Sequence, residues 1–329
     1  MKIAHLHLMS ACVMVTAAAA AALATDARAT SPAPVYFDVS RGAHPHDVAA
    51  APGAGGPVYY TAQSTGKLGI LDPKSGKFDE IALGAHSAPH GVIVGPDGAA
   101  WITDGGQNAI VRFDPATRQT KAWPLPQDAG NANLNTATFD KSGRIWFTGQ
   151  SGIYGRLDPA SGDMRVWKAP RGRGPYGMAT TPGGDVYFAS LAGNYIARVD
   201  TSSGEATVID PPTPAQGARR VWSDSGGRIW VSYWNTGQLG MYDPAARRWR
   251  EWKLPGNAHT YAVWVDDKDK VWLTDWSANA IVRFDPVSEK FDGVPSNRVK
   301  ADVRQMLGRS GEVWGAESGT DRLVMVPAW

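Results

Sequence analysis

Seven copies of one short pattern leave this chain few folds to choose from. The pattern is an apolar residue, an aromatic residue, any residue, then Thr or a small residue. Its copies are Val58-Tyr59-Tyr60-Thr61, Ala100-Trp101-Ile102-Thr103, Ile145-Trp146-Phe147-Thr148, Val186-Tyr187-Phe188-Ala189, Ile229-Trp230-Val231-Ser232, Val271-Trp272-Leu273-Thr274 and Val313-Trp314-Gly315-Ala316. The aromatic positions follow one another at 42, 45, 41, 43, 42 and 42 residues. An apolar-Asp marker trails six of them, at Asp72, Asp114, Asp158, Asp200, Asp243 and Asp285. A Trp-x-x-Pro run closes three, at Trp123, Trp167 and Trp252. In the second copy the sequence predicts strands over 90–95, 99–104, 109–114 and 120–125, with Pro96-Asp97-Gly98 as a tight turn. No segment sustains a helical apolar period. Four short strands at this period make a propeller blade. The seventh copy runs out after three strands, and an orphan strand over 35–40 can supply the fourth. The expectation is an all-β fold: one seven-bladed β-propeller over 30–329, with four-stranded blades. The N-terminal strand completes the last blade and closes the ring, which removes the exposed edges of an open array.

Residues 1–29 stand apart from the repeat. Lys2 opens them, an apolar run follows over 9–24, and Ala27-Arg28-Ala29 forms an A-x-A cleavage site. The run is short and alanine-rich for a membrane span. A secretory signal peptide over 1–29 is expected, and with it a secreted protein, most simply in a bacterial periplasm. No later segment could span a membrane. Cleavage would remove Cys12, the chain's 1 Cys, so neither a disulfide framework nor a Cys-based zinc site is expected. Charges nearly balance, 33 Lys and Arg against 31 Asp and Glu, which argues against a nucleic-acid partner. The expected partner is a small molecule or peptide, bound by a monomer.

Strand geometry selects candidate residues. Neighbouring strands of a blade are antiparallel, so the start of the inner strand and the end of the second share one face of the ring. Counting 11 residues back from the aromatic marker puts His90, Asn135, Tyr176, Arg219, Tyr261 and Val303 at the inner-strand starts. A longer turn in the first copy brings His46 to the same slot. The second strands end in Ala62, Asp104, Gly149, Ser190, Tyr233, Asp275 and Glu317.

All five histidines beyond the leader, His44, His46, His86, His90 and His259, fall in or just before these slots. Imidazole titrates near neutrality and serves as acid, base or metal ligand. His46, His90 and His259 are therefore candidate acid–base groups. Asp104, Glu317, His44 and His86 are candidate ligands of a divalent metal. Packing against a blade end is the other reading of any single histidine. Asn135, Tyr176, Tyr261 and Asp275 stand at the same mouth as candidate substrate contacts. Trp234 and Trp276 could stack on a ligand or pack between blades. Arg219, Arg220 and Arg304 could bind an anion or offset Asp275 and Glu317. The marker Asp recurs in every copy but the last, which suits a turn residue.

The run from Pro89 to Asp114, with Pro89-His90-Gly91-Val92, Gly98-Ala99-Ala100-Trp101-Ile102-Thr103-Asp104 and Asn108-Ala109-Ile110-Val111-Arg112, resembles the streptogramin B lyases, also called virginiamycin B lyases. So does Val271-Trp272-Leu273-Thr274-Asp275-Trp276-Ser277-Ala278-Asn279. The resemblance extends over the chain from about residue 35. It implies a seven-bladed, Mg2+-dependent enzyme that opens a cyclic depsipeptide by elimination at an ester bond. In that family a His is the general acid and Glu residues help bind the metal. The family's functional histidines would occupy the last two slots, where this chain has Tyr261 and Val303. His259 lies two residues before the first of these, and Glu317 near a family acid. Turning the ring restores a similar set in His46, His90 and Asp104. Ala88 stands where a further metal-facing Glu would then be expected, so another divalent metal suits the histidine-rich mouth better than Mg2+.

Two function classes follow. An exported lyase would use His46 and His90 as acid and base, Asp104 and Glu317 as metal or orienting groups, and Arg220 or Arg304 in place of a metal. A non-catalytic binding propeller would hold a ligand or peptide with Trp234, Trp276 and Tyr261.

Overall fold

The computed structural model describes residues 32–329. The leader expected over 1–29 lies outside the described residues. Seven four-stranded antiparallel sheets follow one another along the chain. The first runs Pro45–Ala50, Val58–Ala62, Lys67–Leu71 and Phe78–Ala82, and each later sheet repeats that order from the channel outward. The seventh holds Val303–Met306, Glu312–Glu317 and Arg322–Pro327, and Val35–Asp38 pairs with its third strand as the outer one. The inner strands of the first and seventh blades are neighbours, which closes the ring. The expected propeller and its closure are both present, with strand ends differing by a residue or two from the sequence reading. Among the described residues no helix is long and apolar enough to cross a membrane.

The repeated residues hold each blade to its neighbours. Trp146, Trp230, Trp272 and Trp314 are at most 1% exposed between sheets. Burying a Trp side chain removes roughly 150–250 Å² from water, at most about 4–6 kcal/mol each. A buried indole N–H needs an acceptor, and an acid of the preceding turn supplies it. Trp146 donates to Asp140, Trp230 to Asp224 and Trp272 to Asp266, at 2.9, 2.8 and 2.8 Å. Trp123, Trp167 and Trp252 of the outer strands stack on Trp101, Trp146 and Trp230. The six marker aspartates bind turn backbone, as Asp114 does the Ala116 N–H at 2.9 Å.

The hydroxyl at the fourth pattern position ties blades together around the channel. The Thr61 hydroxyl accepts the Asp47 N–H at 3.0 Å and donates to the His90 carbonyl of the next blade at 2.8 Å. Ser232 does the same between Arg220 and Tyr261. Thr103 and Thr148 repeat the bridge to Asn135 and Tyr176. This fixes the height at which the inner strands of His90, Asn135, Tyr176 and Tyr261 enter the channel.

Candidate active site at the channel mouth

Every inner strand carries one extra residue just inside its start, opposite the end of its second strand. Such a bulge breaks the in–out alternation, so consecutive side chains can reach the same space. Close approach of the neighbouring strand is allowed where the second of these residues is glycine: a Cβ on Gly177 would lie 2.5 Å from the Cα of Arg220. The mouth slots hold His46, His90, Asn135, Tyr176, Arg219, Tyr261 and Arg304, each the second residue of its strand. Arg304 corrects the count that placed Val303 there. The turn after the seventh inner strand is one residue shorter than in most blades, since Met306 pairs with Gly315 where Val263 pairs with Leu273. Val303 is instead packed in the core.

These side chains form one hydrogen-bonded line, and the carboxylate at one end sets the tautomer of His46. Arg219 can only donate, and it gives an Nη2 N–H to the Tyr176 hydroxyl at 2.9 Å. The Tyr176 and Tyr261 hydroxyls lie 2.6 Å apart, where either can donate, and the Tyr261 hydroxyl faces His46 Nε2 at 3.4 Å. At the other end the Asp47 carboxylate accepts from Arg220 at 3.1 Å. It accepts the Nδ1–H of His46 at 2.8 Å. His46 therefore presents an unprotonated Nε2. A second branch runs from Arg220 through the Thr136 hydroxyl to Asn135 Oδ1 at 2.9 Å, and the Asn135 amide donates to His90 Nε2 at 3.0 Å. His90 so carries its proton on Nδ1, which is buried and has no partner. The two imidazoles touch, with ring centroids 3.7 Å apart.

The electrostatics agree with these assignments. Burial, then Arg304, Arg220 and Arg219, hold His46 well below its ordinary value. Burial and the neighbouring His46 do the same to His90. Burial raises Asp47, and Arg220 offsets that only in part. Burial pushes Tyr176 up to about 12. Burial acts on Tyr261 in the same direction, but Arg219, Arg220 and Arg304 outweigh it and hold its hydroxyl below the ordinary tyrosine value.

The remaining expected residues lie around this line. Tyr261 stacks on Trp276 at 5.1 Å, and Trp234 meets Tyr261 and Trp276 edge-on. The Arg304 guanidinium lies 5.2 Å from the Trp276 ring centre. His259 is exposed, bonded to the Ser277 hydroxyl at 2.8 Å and packed on Trp234. His44 and His86 are exposed loop residues, His44 holding the Ser318 carbonyl at 3.0 Å. Asp104 is taken up by the two loops at this end of its blade, accepting from Ser87 and Ala88 of one and Gly106 and Gln107 of the other. Asp275 binds the His259 and Ser277 N–H groups. Glu317 forms a buried ion pair with Arg322 at 2.5 Å. An open depression of about 510 Å³ on this face is lined by His90, Gln63, Asn131, Asn133 and Ser151.

Asp47 is the residue that the sequence reading missed. In a regular strand it would point away from its neighbour His46. The available signal was opposite charge at one register, Asp47 and Arg220 each directly following a slot residue.

Among the described residues, one group of three ligand-type side chains comes together: His46, Asp47 and His90, with ligand atoms within 4.8 Å of one another. It does not fit Mg2+, which requires a shell of oxygens. Two of the three donors are imidazoles, and the one carboxylate already holds Arg220. The guanidiniums of Arg220 and Arg304, which depress both histidines, and of Arg219, which depresses His46, would repel any dication placed there.

A sequence model described as the virginiamycin B lyase family matches residues 21–257. Solved structures of virginiamycin B lyase from Staphylococcus aureus, one of a catalytically inactive variant with quinupristin, superpose at a TM-score of 0.82 and 21% identity, covering 90% of this chain and 99% of theirs. A structure described as YCF48 bound to D1 peptide superposes at a TM-score of 0.71 and 12% identity, covering 91% of this chain and 100% of that one. A gluconolactonase of Zymomonas mobilis is 38% identical over 84 residues, so that the match covers 25% of this chain and 24% of that protein.

Proposed function

The chain belongs to the virginiamycin B lyase family, and from that premise we propose that it is a carbon–oxygen lyase acting by elimination, with His46 as base and Tyr261 as acid. One observation carries the reading: the line Asp47–His46–Tyr261, which leaves His46 Nε2 unprotonated and a tyrosine hydroxyl beside it. His46 Nε2 takes the proton from the carbon next to the substrate carbonyl. That C–H electron pair becomes the new C=C bond, and the C–O bond on the next carbon breaks with its pair going to oxygen. Tyr261 protonates the departing oxygen, and the imidazolium returns its proton to the phenolate across their 3.4 Å contact. Asp47 fixes the imidazole tautomer and steadies the imidazolium. Arg219 and Arg304 stabilise the enolate charge that a cation stabilises in other lyases. His46 is 3% exposed, so the substrate reaches it by displacing the Arg304 contact, which is long at 3.5 Å.

A peptide- or ligand-binding propeller is the second reading. The half-buried wall of Trp234 and Trp276, and the fold shared with a propeller bound to a peptide, favour it. Product mass separates the two. The lyase reading expects a cyclic depsipeptide or β-alkoxy carbonyl substrate to open with no gain of water and with a new conjugated carbonyl. Binding without turnover supports the second reading, and a gain of one water sinks elimination. Export is part of the same proposal: N-terminal sequencing from expressing cells should read Thr30 first, and Met1 first would contradict it.

A further inference from the structure

Two arginines at the mouth lack the carboxylate partner that the adjacent Arg220 and the buried Arg322 have. Arg220 is paired with Asp47 and Arg322 with Glu317. Among the described residues, neither Arg219 nor Arg304 has a carboxylate within 4.0 Å. Arg219 bonds Tyr176 through Nη2, while its Nε is buried without a partner. Arg304 holds Ser318 at 2.9 Å and touches His46 at 3.5 Å. Aromatic faces carry both groups. The Arg219 guanidinium carbon is 3.7 Å from the Tyr261 ring centre and 4.6 Å from those of Tyr176 and Trp234. A guanidinium held by its face keeps its edge for a planar anion. Arg220 Nε and His90 Nδ1–H are also buried without a partner, the latter on a ring 6% exposed beside the depression at the mouth. Three guanidiniums stand against one carboxylate, Asp47, an excess of 3 − 1 = 2 positive charges when both histidines are neutral.

We propose that the substrate offers a carboxylate to Arg219 and Arg304, beside the carbon that loses its proton, with an alkoxy leaving group on the next carbon. Acidic glycans of 4-linked uronates carry that arrangement. The proposal rests on the elimination reading above and names its substrate class. A proton next to a carboxylate is hard to remove because a second negative charge builds on the same group. Two guanidiniums neutralise that group in ground and transition state, and the gain grows as charge develops. A phosphate or sulfate would satisfy the arginines equally but does not acidify a neighbouring C–H as a carbonyl does. The step is balanced: C–H and C–O bonds break, one C=C forms, and the proton ends on the leaving alcohol. The products are an unsaturated acid chain end and a free hydroxyl end.

The test incubates the whole protein with polygalacturonate, alginate and fully methyl-esterified polygalacturonate, reading binding and unsaturated product separately. Acidic polymers should bind at least tenfold more tightly than the ester. Arg219→Gln and Arg304→Gln should each weaken binding by about ten- to a hundred-fold, the usual worth of a charge-assisted hydrogen bond. Arg304→Lys, which keeps the charge but not the fork, should fall between, and melting curves show that each variant is folded. No binding of either acidic polymer, or equal binding of the ester, overturns the carboxylate. Cleavage of the ester or of a cyclic depsipeptide, unchanged in Arg304→Gln, also overturns it while leaving elimination standing. Arginine-dependent binding of acidic polymers with no unsaturated product upholds the carboxylate and sinks elimination.

Discussion

Arg220→Met removes the one cation that touches Asp47. Arg220 is 1% exposed and Asp47 2%, so water cannot take over from the lost partner. Breaking a buried ion pair from one side costs about 3–5 kcal/mol, because the other charge stays buried and unanswered. At roughly 2–3 °C per kcal/mol for a domain of this size, the melting temperature should fall by roughly 6–15 °C. Asp47 can escape part of that cost by binding a proton. Its carboxyl is already raised by burial, and without Arg220 it rises further. The native variant then holds a proton that the unfolded chain has released, so its stability falls as pH rises. The deficit against wild type should therefore be larger at about pH 8 than at about pH 5. Asp47→Asn in the Arg220→Met background removes the orphaned charge and should restore about 1–3 kcal/mol. Urea melts of wild type, the two single variants and the double variant, at both pH values, make the measurement. A loss under about 1 kcal/mol in Arg220→Met, or strictly additive single variants, would refute the claim that Arg220 and Asp47 are a coupled buried ion pair.

Wild-type stability should decline as pH drops below the ordinary histidine value of 6.5. His46 and His90 are both lowered, so below that point the unfolded state binds protons that the native state refuses. Each contributes a slope of about 1.4 kcal/mol per pH unit, and raised Asp47 can cancel one of them. Urea midpoints that stay flat between about pH 6.5 and pH 5 would contradict the buried neutral pair. Deleting Val35–Asp38 uncovers Arg322–Pro327 as a free edge, and should produce self-association in sedimentation where the intact chain shows less. An unchanged sedimentation profile would contradict that role for the strand.

The ring was legible in the sequence because each blade must solve the same packing problem. A Trp with its acid, an Asp at a turn and a hydroxyl between blades recur at one period, and recurrence is visible without coordinates. The slots at the mouth followed by counting, since strand lengths vary little. Counting failed where a single residue was missing, at the seventh turn, and so gave Val303 in place of Arg304. Asp47 was hidden for a different reason. Alternation assigns neighbours to opposite sides of a sheet, and only the bulge lets His46 and Asp47 share the channel. Asp104, Asp275 and Glu317 looked like mouth acids because their strand ends there. Their carboxylates hold loop N–H groups or Arg322, and three acids at one register already hinted at a recurring structural role.

The most direct test of the account is the rate of unsaturated-product formation by His46→Ala beside wild type and Asp104→Asn, with and without a chelator. The account predicts a loss of about 10²–10⁴-fold for His46→Ala. It predicts near wild-type turnover for folded Asp104→Asn and no effect of the chelator on any of them. A His46→Ala protein that turns over at the wild-type rate, or chelation that abolishes wild-type activity until Mg2+ is restored, would contradict it.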